Sequence, residues 1–275
     1  MLYCEFFCEK KDTPAPRFVS LLQELIERYG FLFTDPRTGT CYVRVTTAKD
    51  MPSTITNGVL EDVFSLLTVE TYEASIGLCY LMSAHKVPVK YLSLSWTHNP
   101  VSLWTSESTF SKDTYSIYMS TDDISFFESF DPFDPEMPWL DASPIKVGKE
   151  GIDFYQLMIE VAKLLINRFK PFYGKGSISE GEQSTGPKDI LKRVPKYLYR
   201  VNYFGHECVQ HLGRRKIKAV PSLAKKYPTE IKFPWRTYEF PDDTILLYEE
   251  VSPLLETSRS PRKRVAEFLG LRPSE

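Results

Sequence analysis

The sequence predicts an α+β protein, with mixed or antiparallel sheets, helices packed on one face, and room for two halves of similar layout. Three observations lead there. Apolar stripes at 3.6-residue spacing recur near the beginning, middle and end of the chain. Between them lie β-branched and aromatic runs bounded by turn residues. The 275 residues, 42% hydrophobic and 14% aromatic, are enough for one large core or two smaller ones packed together.

Leu2 to Cys8 reads as a strand. After Thr13 and Pro14, which suit an N-cap and a first helical residue, Phe18, Leu21, Leu22, Leu25, Ile26 and Tyr29 form one stripe that Gly30 closes in the left-handed conformation. Short strands at Phe31 to Thr34 and Cys41 to Val45 flank the turn Asp35-Pro36-Arg37-Thr38-Gly39, giving β-α-β-β. A second stripe, Gly58 to Leu67, predicts a helix, and the Thr, Tyr, Ser, Trp and Val that follow through Ser120 predict three or four antiparallel strands. Residues 122–141 break this pattern with seven carboxylates, three prolines and no basic residue, which reads as an acidic, loop-rich linker. It closes an N-terminal half, residues 1–148.

The C-terminal half, residues 149–275, opens on the strongest stripe in the chain, Phe154 to Phe169, ended by Pro171. A strand around Phe172 to Ile178, a polar loop, a strand from Tyr197 to Tyr203, a short helix from His206 and a strand from Thr244 to Tyr248 follow. A last helix starts at Ser260-Pro261 and stops at Gly270.

With 34 basic and 36 acidic side chains the formal charge is −2, so no global field directs the chain to nucleic acid or anionic lipid. The N-terminal residues lack a signal-peptide pattern, and no apolar run reaches the roughly 18 to 20 residues that span a bilayer, so the expectation is a cytoplasmic protein with no membrane partner. Five scattered cysteines, mostly in apolar segments, are expected to be reduced and structural.

Local motifs argue against an enzyme. His206 and His211 are five residues apart, so on a helix they diverge by roughly 140° where zinc chelation needs a step of four. Gly174-Lys175-Gly176-Ser177 has the wrong order for a phosphate loop and is read as a tight bend or bulge. Cys4 and Cys8 share a strand face about 13 Å apart, too far for a disulfide or a shared metal. His85 and His98 sit beside turns with no nucleophile in a recognisable setting. No catalytic residue, metal ligand or cofactor is assigned. Two charge features remain. The run Arg214, Arg215, Lys216, Lys218, Lys225 and Lys226 holds no carboxylate and is read as solvated surface. In the acidic segment, Asp122, Asp123, Glu128, Asp131, Asp134 and Glu136 are threaded with aromatics including Phe127 and Trp139, a mixture suited to a basic protein surface. These eight residues are the candidate partner-binding set.

Tyr199-Arg200-Val201-Asn202-Tyr203-Phe204-Gly205, Glu207, Val209, Leu212-Gly213, Ala219-Val220-Pro221 and Pro241-Asp242-Asp243 ahead of Ile245-Leu246-Leu247 form a series. It resembles immunity proteins of bacterial polymorphic-toxin and type VI secretion systems, over roughly residues 150 to 271. His206 departs from the family's common proline, and Asp242-Asp243-Thr244 from its glycine-rich turn. The resemblance implies inhibition by occlusion of a cognate protein toxin encoded nearby, and it carries no binding residues across. The competing expectations are a hydrolase using a histidine with carboxylates of residues 122–141, and a phosphate- or nucleic-acid-binding accessory protein using Arg214 to Lys226.

Overall fold

The computed structural model describes residues 2–10, 14–47, 53–55, 57–67, 71–81, 89–97, 114–121, 145–146, 149–177, 190–228, 231, 234–250, 254–255 and 262–274. Strand β1 (Tyr3–Glu9) is buried along almost its whole length because the sheet is built outward from it on both sides. One side pairs with β6 (Thr114–Ser120), followed by β5 (Val89–Thr97), β4 (Thr71–Leu81), β2 (Tyr42–Thr47) and β3 (Ser53–Ile55). The other pairs with β8 (Tyr173–Ser177), then β10 (Val201–Phe204), β12 (Ile245–Glu249) and β11 (Trp235–Glu239). All nine pairings in this ten-stranded sheet are antiparallel. Two small ladders complete the strands: β7 (Ile145–Lys146) with β13 (Leu254–Leu255), and β9 (Tyr197–Leu198) with β14 (Arg272–Pro273). Residues 1–148 and 149–275 therefore contribute to one sheet, joined through the β1–β8 ladder.

The α+β class and the antiparallel pairing stand as predicted, but the helices cover both faces of the sheet. Helices α1 (Ala15–Tyr29), α2 (Leu60–Leu66) and α3 (Lys149–Phe169) bury one face through Phe18, Leu22, Val63, Met158 and Leu165. The strand residues beneath them include Cys4, Phe6, Ile76, Leu94, Trp96 and Leu246. Helices α4 (His206–Leu212), α5 (Arg214–Lys226) and α6 (Lys263–Leu269) bury the other face, over β8, β10, β12 and β11, against Phe7, Tyr173, Phe204, Ile245, Leu247 and Trp235. The reason is legible in Ile245-Leu246-Leu247: consecutive apolar residues on a strand point to opposite faces, so both need cover.

Local departures have local causes. The predicted strand at Phe31 to Thr34 is a single bridge, Leu32 to Cys79. The Tyr197 to Tyr203 strand is split because the Asn202 side chain accepts from the Tyr199 amide (2.8 Å) and donates to its carbonyl (2.6 Å), capturing the backbone between β9 and β10. Gly174 and Gly176 form no bend; they lie inside β8, where an added Cβ on Gly174 would sit 2.9 Å from Phe6 Cε1 and 3.1 Å from Tyr203 Cβ. Helices α1 and α6 stop where predicted, at left-handed Gly30 and Gly270. The proposed start of the last helix at Ser260-Pro261 lies outside the described residues. Among the described residues no helix is long and apolar enough to cross a membrane.

Candidate protein-binding face

Strict alternation in β2, β4, β5 and β6 sends apolar side chains under α1 to α3 and polar ones to the opposite face. On that face Arg44, Ser75, Ser95 and Tyr118 stand on one line across the four strands, and Tyr42, Gly77, Ser93 and Ser120 on the next. Tyr42 is 48% exposed. Arg44 is exposed, and Ser75, Gly77, Ser93, Ser95 and Tyr118 are half-buried. Among the described residues neither apolar cluster draws on these positions, and α4 to α6 lie over the β8 to β11 end. Tyr3 stacks on Tyr118 with centroids 6.3 Å apart. Where the covered and open parts meet, Glu5 and Lys175 form a buried pair at 3.8 Å, next to buried Asn202 in the adjoining strand.

At the outer end of this face lies a cleft of about 370 Å³ lined by Phe33, Asp35, Thr38, Thr40, Cys41, Tyr42, Gly77, Cys79 and Tyr91. The turn from Asp35 to Thr40 builds its wall. Asp35 accepts from the Arg37 amide (2.8 Å), from Arg37 Nε (3.2 Å) and Nη2 (3.0 Å), and from the Tyr91 hydroxyl. The Arg37 side chain, the Tyr91 hydroxyl and the Arg37 amide together hold the Asp35 carboxyl well below the usual carboxylate range. Burial pushes the Cys79 thiol up to about 11, so it is neutral at physiological pH.

The eight residues chosen from the sequence, Asp122, Asp123, Phe127, Glu128, Asp131, Asp134, Glu136 and Trp139, lie outside the described residues. Their segment follows Thr121, whose amide donates to the Leu2 carbonyl (2.9 Å) and whose hydroxyl accepts from the Leu2 amide (3.1 Å). Ser120, the last residue of β6, is level with Ser93 and Gly77 in the sheet. Sequence reasoning passed over the open face, although its signal is plain in Ala74-Ser75-Ile76-Gly77-Leu78 and Ser93-Leu94-Ser95-Trp96: alternation marks strands buried on one side only.

No protein-family model and no curated protein matches the chain. Among solved structures it is similar to the Pseudomonas aeruginosa T6SS protein PA0821, at 10% identity and a TM-score of 0.49, covering 100% of this chain and 73% of that one. A likeness of that size carries no argument about function.

His206 and His211 are both exposed on α4, and His206 is hydrogen-bonded to Gln210 (2.8 Å). Among the described residues no group of three or more His, Cys, Asp or Glu side chains is arranged to hold a metal ion. All five cysteines are free and buried, and burial pushes Cys4, Cys8 and Cys208 up to about 12, far from thiolate reactivity at neutral pH. Part of the basic run is neutralised: Arg214 binds Glu239 (2.7 Å) and Asp243, and Lys218 binds Glu239 (2.8 Å).

Proposed function

We propose that this chain is an immunity-type protein that binds a cognate toxin in the cytoplasm and neutralises it by occlusion, without catalysis. The observation that supports it is the open face of β2, β4, β5 and β6. Its exposed and half-buried positions are mainly serine, tyrosine, glycine and arginine, with Thr46 and Glu73 on the next line. Tyrosine offers a large contact area with few rotatable bonds, and serine and glycine adapt their hydrogen bonding to a partner, the composition that antibody paratopes use. We assign the acidic segment with Asp131, Asp134 and Glu136 to the same contact, because its carboxylates and aromatics suit a basic surface of the toxin.

The residues behind the family resemblance support the reading as fold markers. Asn202 holds the Tyr199 turn, Gly205 abuts the Phe172 backbone, Gly213 has φ 88° between α4 and α5, and Asp243 has φ 65° in the hairpin turn before β12. The reading is tested by tagged capture from native cells, with the adjoining genes read at the same time. One stoichiometric partner, encoded next door and toxic when expressed alone, is expected. Ser75→Arg on the face and charge reversal at Asp131, Asp134 and Glu136 should each weaken its binding at least tenfold, about 1.4 kcal/mol, with the thermal transition nearly unchanged. Capture of nucleic acid alone, or of no partner, sinks the inhibitor reading; undiminished binding by Ser75→Arg removes the open face from it.

A further inference from the structure

We infer that the cleft beside Gly77 is a socket for one uncharged aromatic side chain, tyrosine or tryptophan, presented by the protein partner; this deepens the binding reading above and rests on it. Gly77 makes the opening. Its neighbour across the strand pair is Tyr42, and a Cβ at Gly77 would lie 3.3 Å from Tyr42 Cβ, so any larger residue fills the space between Tyr42 and the cleft wall. The volume of about 370 Å³ is at the low end of the roughly 300–1,000 Å³ typical of ligand pockets, a size for a side chain rather than a cofactor.

The walls select the chemistry. Phe33, Tyr42 and Tyr91 supply rings, and Cys41 and Cys79 supply sulfur, which packs favourably at aromatic edges. Asp35 is the one charged residue among the described residues of the lining, and its oxygens already accept three bonds from Arg37 and one from Tyr91. A carboxylate offers about four acceptor positions, so an incoming ammonium or guanidinium finds none free and meets Arg37 beside it. An anion would meet the Asp35 carboxylate. A neutral ring meets neither obstacle. The Thr38 and Thr40 hydroxyls, 2.7 Å from each other, remain within the lining to accept from a phenol O–H or an indole N–H.

The test is an amide-resolved NMR titration of the whole chain with N-acetyl-tryptophanamide, and with N-acetyl-lysinamide as the charged control. Saturable shifts confined to Thr38, Thr40, Gly77 and Cys79 are expected with the first probe and none with the second. Gly77→Leu should abolish them; Tyr42→Ala, which removes an exposed wall, should weaken them several-fold and covers the case in which the leucine variant fails to fold. Shifts that do not saturate, that appear elsewhere, or that the lysine probe reproduces overturn the socket. Capture separates the two ideas: a partner retained in full by Gly77→Leu overturns the socket and leaves the binding face. No partner with the native chain, while the tryptophan probe still saturates at Gly77, sinks the inhibitor reading and supports the aromatic preference of the cleft.

Discussion

Gly205 and Gly39 are glycine for opposite reasons. Gly205, between β10 and α4, has φ −65°, a value any residue adopts, but a Cβ there would lie 2.8 Å from the Phe172 carbonyl carbon and 2.9 Å from its Cα. Gly39 has φ 70° and nothing within 4 Å of an added Cβ. Gly205→Ala forces backbone against backbone and should cost about 3 kcal/mol or more. Gly39→Ala meets only left-handed strain, about 1–2 kcal/mol. Urea denaturation midpoints at unchanged slope measure both, and equal losses would show that conformation, not contact, governs Gly205. The sequence announces Gly39 through its turn composition, whereas the demand on Gly205 comes from a residue in another strand segment and has no local signature.

The turn from Asp35 to Thr40 is held by an ionised carboxylate, which makes its contribution pH-dependent. The folded Asp35 titrates lower than the roughly 3.9 of an unfolded aspartate, so its stabilising effect is present above that value and is lost as the pH falls through and below it. Thermal midpoints should therefore show native protein above Asp35→Asn at pH 7, with the gap narrowing steadily between pH 4 and pH 2; a constant gap would contradict the assignment. Among the elements, α1 and α3 were readable because their stripes are dense. Helix α5 is hidden, since its short stripe of Ile217, Val220 and Leu223 contains Pro221 and is flanked by Arg214, Arg215, Lys216, Lys225 and Lys226, which read as a charge run. Strand β11 was likewise unassigned: only Trp235 of its five residues is buried, so it has little hydrophobic pattern to read.

Across the whole molecule, ten strands in one sheet tie the two halves of the chain together. Unfolding followed by tryptophan fluorescence, with Trp96 in one half and Trp235 in the other, should coincide with unfolding followed by far-ultraviolet circular dichroism; separate transitions would mean that the halves fold independently. The fold class and most strands were legible because alternation and stripes are local. The two-sided helix cover and the open face were not, because they depend on which strands end up adjacent. Order in the sheet departs furthest from order in the chain at β1. Its partners are β6 and β8, so on the ribosome β1 must wait for residues 114–120 on one side and 173–177 on the other. At roughly 5–20 residues per second that wait is on the order of ten seconds or more, during which Cys4, Phe6, Phe7 and Cys8 have no sheet to enter. Co-expression of a holding chaperone is therefore expected to raise the yield of folded protein, and an unchanged yield would show that β1 needs no protection during synthesis.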